Sequence, residues 1–173
     1  TGHNAWYFQA RKQGCDPADA RARAQRAGQE VFPQRSAFTA LWEAAKIGRT
    51  WVLVVLYFTT FGGFLALTTW LPTYWQSYFD VSHWTAVVMT ASFSLLSSLI
   101  RVPGGSLADR LGGERVAIAS LITLLVGALL VGFAGHPVLA GFALLVVAVG
   151  MGVNNAAVFR LVPDYVPEAV GGA

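Results

Sequence analysis

Residues 116–159 read VAIASLITLLVGALLVGFAGHPVLAGFALLVVAVGMGVNNAAVF and contain no Asp, Glu, Lys or Arg. A helix needs about 20 mostly apolar residues to cross the hydrocarbon core of a bilayer, so this stretch is long enough for two crossings. Its middle, Ala134-Gly-His-Pro137, is typical of a tight turn. The stretch therefore predicts two transmembrane helices, at about residues 116–134 and 138–159.

Two further apolar stretches precede this one. We predict a first span at about residues 51–71, ended by Pro72, and a second at about 84–107, interrupted only by Arg101. The chain is 55% hydrophobic, 13% aromatic and 12% charged, whereas an average soluble domain is about 25% charged and disordered chains are poor in aromatics. The predicted fold class is an all-α integral membrane protein with about four transmembrane helices.

Residues 1–50 differ from the spans because they are rich in Arg, Ala and Gln. We interpret them as a loop outside the membrane, with a helix-prone run at 17–30 and an amphipathic helix at about 37–47. Further basic residues lie at 108–115 and just after the fourth span, but none lies in the loops at 72–83 and 134–138. Lys and Arg accumulate on the cytoplasmic side, so residues 1–50 and the 108–115 loop are predicted to be cytoplasmic. Contact of residues 1–50 with anionic lipid head groups is favoured over contact with nucleic acid.

The two ends of the chain suggest that it is part of a longer protein. It starts with Thr1 rather than Met and stops after Glu168-Ala-Val-Gly-Gly-Ala173. Four spans are also an unusual number for a membrane protein of this composition. We therefore expect residues 164–173 to lead into a further helix.

Arg101 is the most informative single residue. A guanidinium inside a span is costly and normally faces a protein interior or an aqueous cavity. At about 100° per residue, the polar residues of this span share one narrow stripe: Thr90, Ser94, Ser97 and Arg101. Such a stripe lines a pathway or contacts another helix. The alternative is that Arg101 snorkels to the nearby cytoplasmic interface.

Two other spans carry matching stripes at the same angular spacing. The first has Tyr57, Phe61, Phe64 and Thr68, and the fourth has Gly141, Ala148, Gly152, Asn155 and Phe159. Small residues let membrane helices approach closely, so packing accounts for most of the glycine and alanine positions. Asn155 and Phe159 suggest a further role without deciding it.

The sequence contains no pattern typical of an enzyme. It has no cluster of metal ligands, no pair of nucleophile and base, and no phosphate-binding loop. Cys15 is the sole cysteine, so it implies neither a disulfide nor a zinc site. We expect no catalytic residue, no metal and no cofactor.

The loop GGSLADRLGGER at residues 104–115 combines glycines at a helix end with an acid and bases in a short turn. Charged side chains there can pair with neighbouring helix ends and form a latch that breaks when helix bundles move. The pattern Gly105-x-Leu-Ala-Asp109-Arg110-x-Gly112, followed by Arg115, resembles the signature loop of the major facilitator superfamily. In that superfamily the loop follows the second and the eighth of twelve helices. The resemblance implies that these residues form a conformational-switch loop.

Three segments resemble the nitrate/nitrite porter family within that superfamily. They are RVPGGSLADR at 101–110, YFTTFGGF at 57–64 and GVNNAAVFRLVP at 152–163. The resemblance implies that the four spans are the seventh to tenth helices and that residues 1–50 are the central cytoplasmic loop. It also implies that the N-terminal half and the last two helices are missing, and that the protein lies in the cell (inner or plasma) membrane.

The same resemblance assigns roles to five residues of this chain. Arg101 becomes one half of a two-arginine clamp that holds nitrate or nitrite at the membrane midplane. Tyr57 and Phe61 match positions near the anion, Asn155 matches an asparagine of the tenth helix, and Phe159 matches an aromatic there. The implied function is transport of nitrate and/or nitrite by alternating access.

Two positions depart from the pattern of that family. Asn154 and Ala156 stand where glycine is usual, so both add bulk at a place of close helix packing.

Two alternative functions stay open. The chain could belong to a carrier of the same superfamily that moves another small or organic anion. It could instead be a four-helix membrane subunit that transports nothing, in which case Arg101 would be an assembly contact.

Overall fold

The computed structural model describes residues 5–26 and 37–165, which form helices joined by short turns. Three short helices come first: α1 (Ala5–Lys12), α2 (Pro17–Arg26) and α3 (Ala37–Lys46). Four helices long and apolar enough to cross a membrane follow: α4 (Gly48–Phe79), α5 (His83–Leu111), α6 (Gly113–Gly132) and α7 (Pro137–Tyr165). No strand occurs in the described part, so the predicted fold class is confirmed. Residues 27–30 of the helix-prone run and 166–173 of the predicted lead-in lie outside the described residues.

The first long helix differs from its prediction at Pro72. The expectation that Pro72 ends this helix is wrong, because α4 continues through it to Phe79. Proline removes one backbone N–H donor, and membrane helices tolerate that loss where neighbouring helices support the chain. Here Leu71 and Trp75, which flank Pro72, are 3% and 1% exposed and share one core with residues of α5 and α7.

Local signals set the turns between the long helices. Asp80 follows α4 with a φ of 52°, in the left-handed region. The hydroxyl of Ser82 accepts a hydrogen bond from the backbone N–H of Thr85 at 3.2 Å, which caps the start of α5. Gly112, with a φ of 90°, separates α5 from α6. Pro137 is the first residue of α7, a position where its missing N–H costs no helical bond.

The amphipathic helix α3 lies beside the beginning of α4. Its buried Ala44 belongs to a core that also contains Leu53 of α4 and Val158 of α7. The indole Nε1 of Trp51 donates a hydrogen bond to the Ala45 carbonyl at 3.0 Å. These contacts join α3 to the same end of the bundle at which α7 finishes.

α7 is the central helix of the described bundle, because α4, α5 and α6 all contact it. At Gly150 an added Cβ would lie 2.8 Å from the Leu124 nitrogen, and at Gly152 it would lie 2.3 Å from the Ser97 carbonyl oxygen. Only glycine permits such an approach between two helix backbones. These two glycines therefore set the distances from α7 to α6 and α5.

We predict that Gly152→Ala destabilises the bundle by about 1–3 kcal/mol, because the new methyl group collides with α5 and forces the helices apart. The measurement is the thermal unfolding temperature of the purified protein in detergent. Gly132→Ala is the matched control, because nothing lies within 4 Å of an added Cβ at Gly132. Equal unfolding temperatures for the two variants would show that the α5–α7 contact does not depend on Gly152.

Candidate functional site

Arg101 lies immediately after an irregularity in α5. Regular α-helical structure stops at Leu99 and resumes at Arg101. Pro103 has no N–H to donate to the Leu99 carbonyl, which explains the interruption one turn earlier. The Gly104 N–H then bonds to the Ile100 carbonyl at 2.9 Å and restores the ladder. The proline thus places Arg101 at the start of a new helical segment.

Helix contacts on both sides of Arg101 fix its level in the bundle. Ser97, one turn before it, approaches Gly152 of α7. Gly104, nearly one turn after it, lies against α7, where an added Cβ would be 3.1 Å from the Val153 Cα. Arg101 therefore lies at the level of residues 152–156 of α7, within the length of four apolar helices.

The polar stripe on α5 faces neighbouring helices, and Arg101 lies on it without a partner. Thr90 and Ser97 are 7% and 2% exposed, and Ser94 is 3.3 Å from the hydroxyl of Thr68 on α4. Arg101 itself is half-buried. Among the described residues its guanidinium takes part in no hydrogen bond or ion pair. Its donors are therefore free to bind another group.

The three aromatic residues predicted for the site form one cluster between α4 and α7. The rings of Tyr57 and Phe61 stack with centroids 5.0 Å apart, and Phe159 meets Tyr57 edge-on at 5.5 Å. Phe64 and Phe93 extend this row of rings to α5, with centroids 5.9 Å apart. The cluster lies on one side of a groove of about 660 Å³ between α3, α4 and α7.

Asn155 lies one turn before Phe159 on α7 and is 2% exposed. Its Oδ1 accepts a hydrogen bond from the hydroxyl of Thr60, at 2.8 Å. Thr60 belongs to a π-helical turn, Phe58–Gly62, in the middle of α4, and such turns are frequent at functional sites. No ring contact or hydrogen bond joins Arg101 to Asn155 or to the aromatic cluster within the described residues.

Thr60 and Asn154 lie next to each other in the structure. The sequence pattern did not single out Thr60, and it predicted no hydrogen bond for Asn154. The Asn154 amide nitrogen donates to the Thr60 hydroxyl oxygen at 3.1 Å, and Asn154 is fully buried. The pair Thr59-Thr60 in the middle of an apolar span was the signal that could have found the contact. A buried hydroxyl in a membrane needs a partner, and only a neighbouring helix could supply a side-chain partner.

The signature loop carries ion pairs between helix ends. Asp109, at the end of α5, pairs with Arg160 near the end of α7 at 3.2 Å, and Arg160 also bonds Asp164 at 3.0 Å. The hydroxyl of Tyr165 donates to Glu114 of α6 at 2.5 Å. The predicted pairing of this loop with a neighbouring helix end therefore occurs through Asp109.

The other residues of the 104–115 loop differ in the contacts they make. In the described part of the chain, Arg110 and Arg115 form no ion pair. Gly112 supplies the positive φ of the turn. Gly105 makes no close contact, because nothing lies within 4 Å of an added Cβ there. Gly104 and Gly113 make the close contacts with α7, where an added Cβ would lie 3.1 Å from the Val153 Cα and 2.8 Å from the Leu161 side chain.

The described residues contain no group of three or more His, Cys, Asp or Glu side chains placed to hold a metal ion.

Comparison with known proteins places the chain in a family. The sequence profile of the Major Facilitator Superfamily matches residues 5–173. A nitrite extrusion protein of Bacillus subtilis is 36% identical over 70% of this chain and 31% of its own length. A probable nitrate/nitrite antiporter of Thermus thermophilus is 35% identical over 71% and 32%, and a probable nitrate/nitrite transporter of Mycobacterium tuberculosis is 35% identical over 75% and 33%.

The chain thus spans about a third of the length of the curated relatives it matches. No solved structure matches it. These relatives are transporters by name rather than enzymes, and the four apolar helices agree with a multi-pass membrane protein. The chain belongs to the major facilitator superfamily, and within that superfamily it is similar to the nitrate and nitrite transporters.

Proposed function

We propose that this chain is part of a carrier that moves nitrate and/or nitrite across the cell membrane by alternating access, with Arg101 as half of an anion clamp. The observation that carries the proposal is the unpartnered, half-buried guanidinium of Arg101 on the polar stripe of an apolar helix. An arginine in such surroundings is costly and pairs with something. An anionic substrate would be that partner.

The chemistry of the anion suits this side chain. Nitrate is planar and carries one negative charge, and the planar guanidinium offers paired N–H donors to two of its oxygens. Nitrite presents two oxygens in a similar way. The interaction would be stronger than in water, because Arg101 lies half-buried in an apolar helix, where the local dielectric constant is lower.

The aromatic cluster and Asn155 supply the second part of the proposed site. Tyr57, Phe61 and Phe159 contact one another from two different helices, so their rings would narrow the path and exclude water beside the anion. Asn155 would add a neutral hydrogen-bonding group at the level of Arg101.

Alternating access is supported by the kind of contact found at the helix ends. Two bundles rock about a midplane site in carriers of this type. The Asp109–Arg160 pair joins α5 to α7, and both side chains are substantially exposed, at 68% and 40%. An exposed ion pair contributes only about 0–1 kcal/mol, so it can steady one state and still break during each cycle.

The rest of the proposed carrier lies outside this chain. The second clamp arginine and the remaining helices would come from the N-terminal half and the last two helices of the same protein, as the length of the relatives suggests. The coding sequence on both sides of this segment tests this point. Upstream helices with a second inward arginine are expected, whereas a reading frame limited to residues 1–173 would contradict it.

We predict that Arg101→Ala in the complete carrier lowers nitrate/nitrite counterflow in proteoliposomes about 30-fold or more, because the anion loses a buried, charge-assisted partner. Arg101→Lys keeps the charge but loses the planar pair of donors, so an intermediate rate is expected. The matched control is Arg23→Ala, which removes an exposed arginine of α2. Normal flux in Arg101→Ala would remove Arg101 from the clamp. Competition by unlabelled anions separates the alternative substrates. If unlabelled organic anions inhibit the uptake of labelled substrate by the carrier and unlabelled nitrate does not, the carrier moves another anion.

The proposed orientation in the membrane predicts which single introduced cysteines react from outside the cell, once Cys15 has been replaced. In a Cys15→Ser background, Gly135→Cys is expected to react with a membrane-impermeant maleimide in intact cells. Leu111→Cys is expected to react only after permeabilisation, because the 108–115 loop would be cytoplasmic. Both positions are exposed in the structure, so poor access would not explain a difference. The opposite pattern would reverse the orientation.

A further prediction concerns the latch between α5 and α7. Asp109→Asn and Arg160→Gln should each change the counterflow rate about two- to fivefold. The double variant should change it no more than Arg160→Gln alone, because Arg160→Gln already removes the pair with Asp109 as well as the pair with Asp164. Asp80→Asn, which neutralises an exposed carboxylate at the opposite end of the helices, should leave the rate unchanged. Additive effects of the two substitutions would mean that the pair does not act as a unit in transport.

A further inference from the structure

Four buried polar side chains form a continuous chain of hydrogen bonds across the described bundle. They come from three helices: Ser120 on α6, Asn154 and Asn155 on α7, and Thr60 on α4. The Ser120 hydroxyl is 3.1 Å from Asn154 Oδ1, the Asn154 amide nitrogen is 3.1 Å from the Thr60 hydroxyl oxygen, and that oxygen is 2.8 Å from Asn155 Oδ1. All four side chains are at most 3% exposed.

The donors and acceptors of this chain give it a direction. The Ser120 hydroxyl shares its one proton between the Ala117 carbonyl at 2.7 Å and Asn154 Oδ1 at 3.1 Å, and the Asn154 amide nitrogen donates to Thr60. The Thr60 hydroxyl lies 2.9 Å from the Leu56 carbonyl and 2.8 Å from Asn155 Oδ1, so it shares its one proton between two acceptors. In this arrangement Asn155 presents its Oδ1 to Thr60.

The orientation of the Asn155 amide follows from that contact. An asparagine side chain whose oxygen is held on one side turns its NH₂ group to the other side. Among the described residues the Asn155 nitrogen has no hydrogen-bond partner, and it is not one of the fully enclosed polar atoms that lack one. Its two N–H donors are therefore unpartnered, in a residue that is 2% exposed.

We propose that Thr60, held by Asn154, is a positioning residue that keeps the N–H donors of Asn155 turned toward the substrate path. The inference rests on the proposed function, and it deepens it: the carrier would bind an oxyanion through a neutral amide donor in addition to the Arg101 guanidinium. An anion accepts hydrogen bonds and offers none, so only one of the two orientations of the Asn155 amide serves it. Thr60 selects that orientation.

The π-helical turn of α4 gives Thr60 this position. Such a turn widens the helix by one residue, and Thr60 is fully buried within it, whereas its neighbour Thr59 is exposed. Asn154 stands where the resembling family usually has glycine. In this chain it fills the space between α4, α6 and α7 with bonded polar atoms on both ends of its amide. The added bulk is thus accommodated by hydrogen bonds.

The test measures the KM for nitrate and the maximal rate of counterflow in the complete carrier reconstituted in proteoliposomes. Thr60→Val keeps the shape of the side chain and removes the hydroxyl. We expect it to raise the KM about three- to tenfold, as for the loss of one oriented hydrogen bond, with a maximal rate within about twofold of the wild type. Thr60→Ser should restore the wild-type KM, and Thr59→Val is the matched control from the same turn.

A double-mutant cycle separates positioning from direct contact. In an Asn155→Ala background, Thr60→Val should leave the KM unchanged, because no amide remains to be oriented. An equal rise of the KM in both backgrounds would show that Thr60 acts independently of Asn155 and would overturn the inference. So would an unchanged KM in the single variant. Thr60→Val leaves the Asn154 amide nitrogen without its acceptor and could therefore fold poorly. In that case the double variant Thr60→Val/Asn154→Ala, which removes this donor as well, is used, and the same rise in KM is expected.

The outcomes for the two proposals are distinct. If the wild-type carrier exchanges nitrate and Thr60→Val has the same KM for nitrate, the positioning role alone is overturned. A wild-type carrier that exchanges neither nitrate nor nitrite would overturn the proposed function, and the positioning role with it.

Discussion

The close backbone approach of α7 to α5 and α6 is the constraint on which the rest of the structure depends. Inside a bilayer, helices gain no hydrophobic free energy by associating with one another, so close packing and interhelical hydrogen bonds must hold them together. Gly150 and Gly152 bring the backbones into contact at the middle of α7. The same contacts place Arg101 of α5 at the level of Asn155, and they bring Asn154 within hydrogen-bonding distance of α4 and α6. The candidate site is therefore built on the packing of one central helix.

Buried polar groups in this bundle fall into two kinds, which differ in their partners. Thr60, Asn154 and Ser120 satisfy one another, so their hydrogen bonds stabilise the arrangement of three helices and fix side-chain orientation. Arg101 also lies within an apolar helix and is half-buried, yet no described residue pairs with it. A satisfied network explains a structure, whereas an unsatisfied charge in apolar surroundings requires a ligand or a partner. This difference, more than position alone, separates the proposed anion ligand from the residues that support it.

The charged residues near the ends of α5, α6 and α7 have a different physical character. Asp109, Arg160 and Asp164 interact at the surface, where water and salt weaken each pair. Such contacts contribute little to the stability of a single state. They are well suited to a carrier that must form and break them in every cycle, whereas the buried network between α4, α6 and α7 would move as one body.

Hydropathy and length were sufficient to predict four membrane helices, because the thickness of the bilayer fixes how many apolar residues a helix needs to cross it. Helical periodicity also placed Tyr57 with Phe61 on one face of the first span and Asn155 with Phe159 on one face of the fourth. Only the resemblance to the nitrate/nitrite porters implied that the two pairs belong to one site. The expected helix end at Pro72 was wrong, because packing of the residues around the proline keeps α4 intact, and no sequence signal indicated the π-helical turn that contains Thr60. The bond between Thr60 and Asn155 was decided only by the tertiary structure, because it joins residues far apart in the chain whose distance depends on how closely two helix backbones can approach.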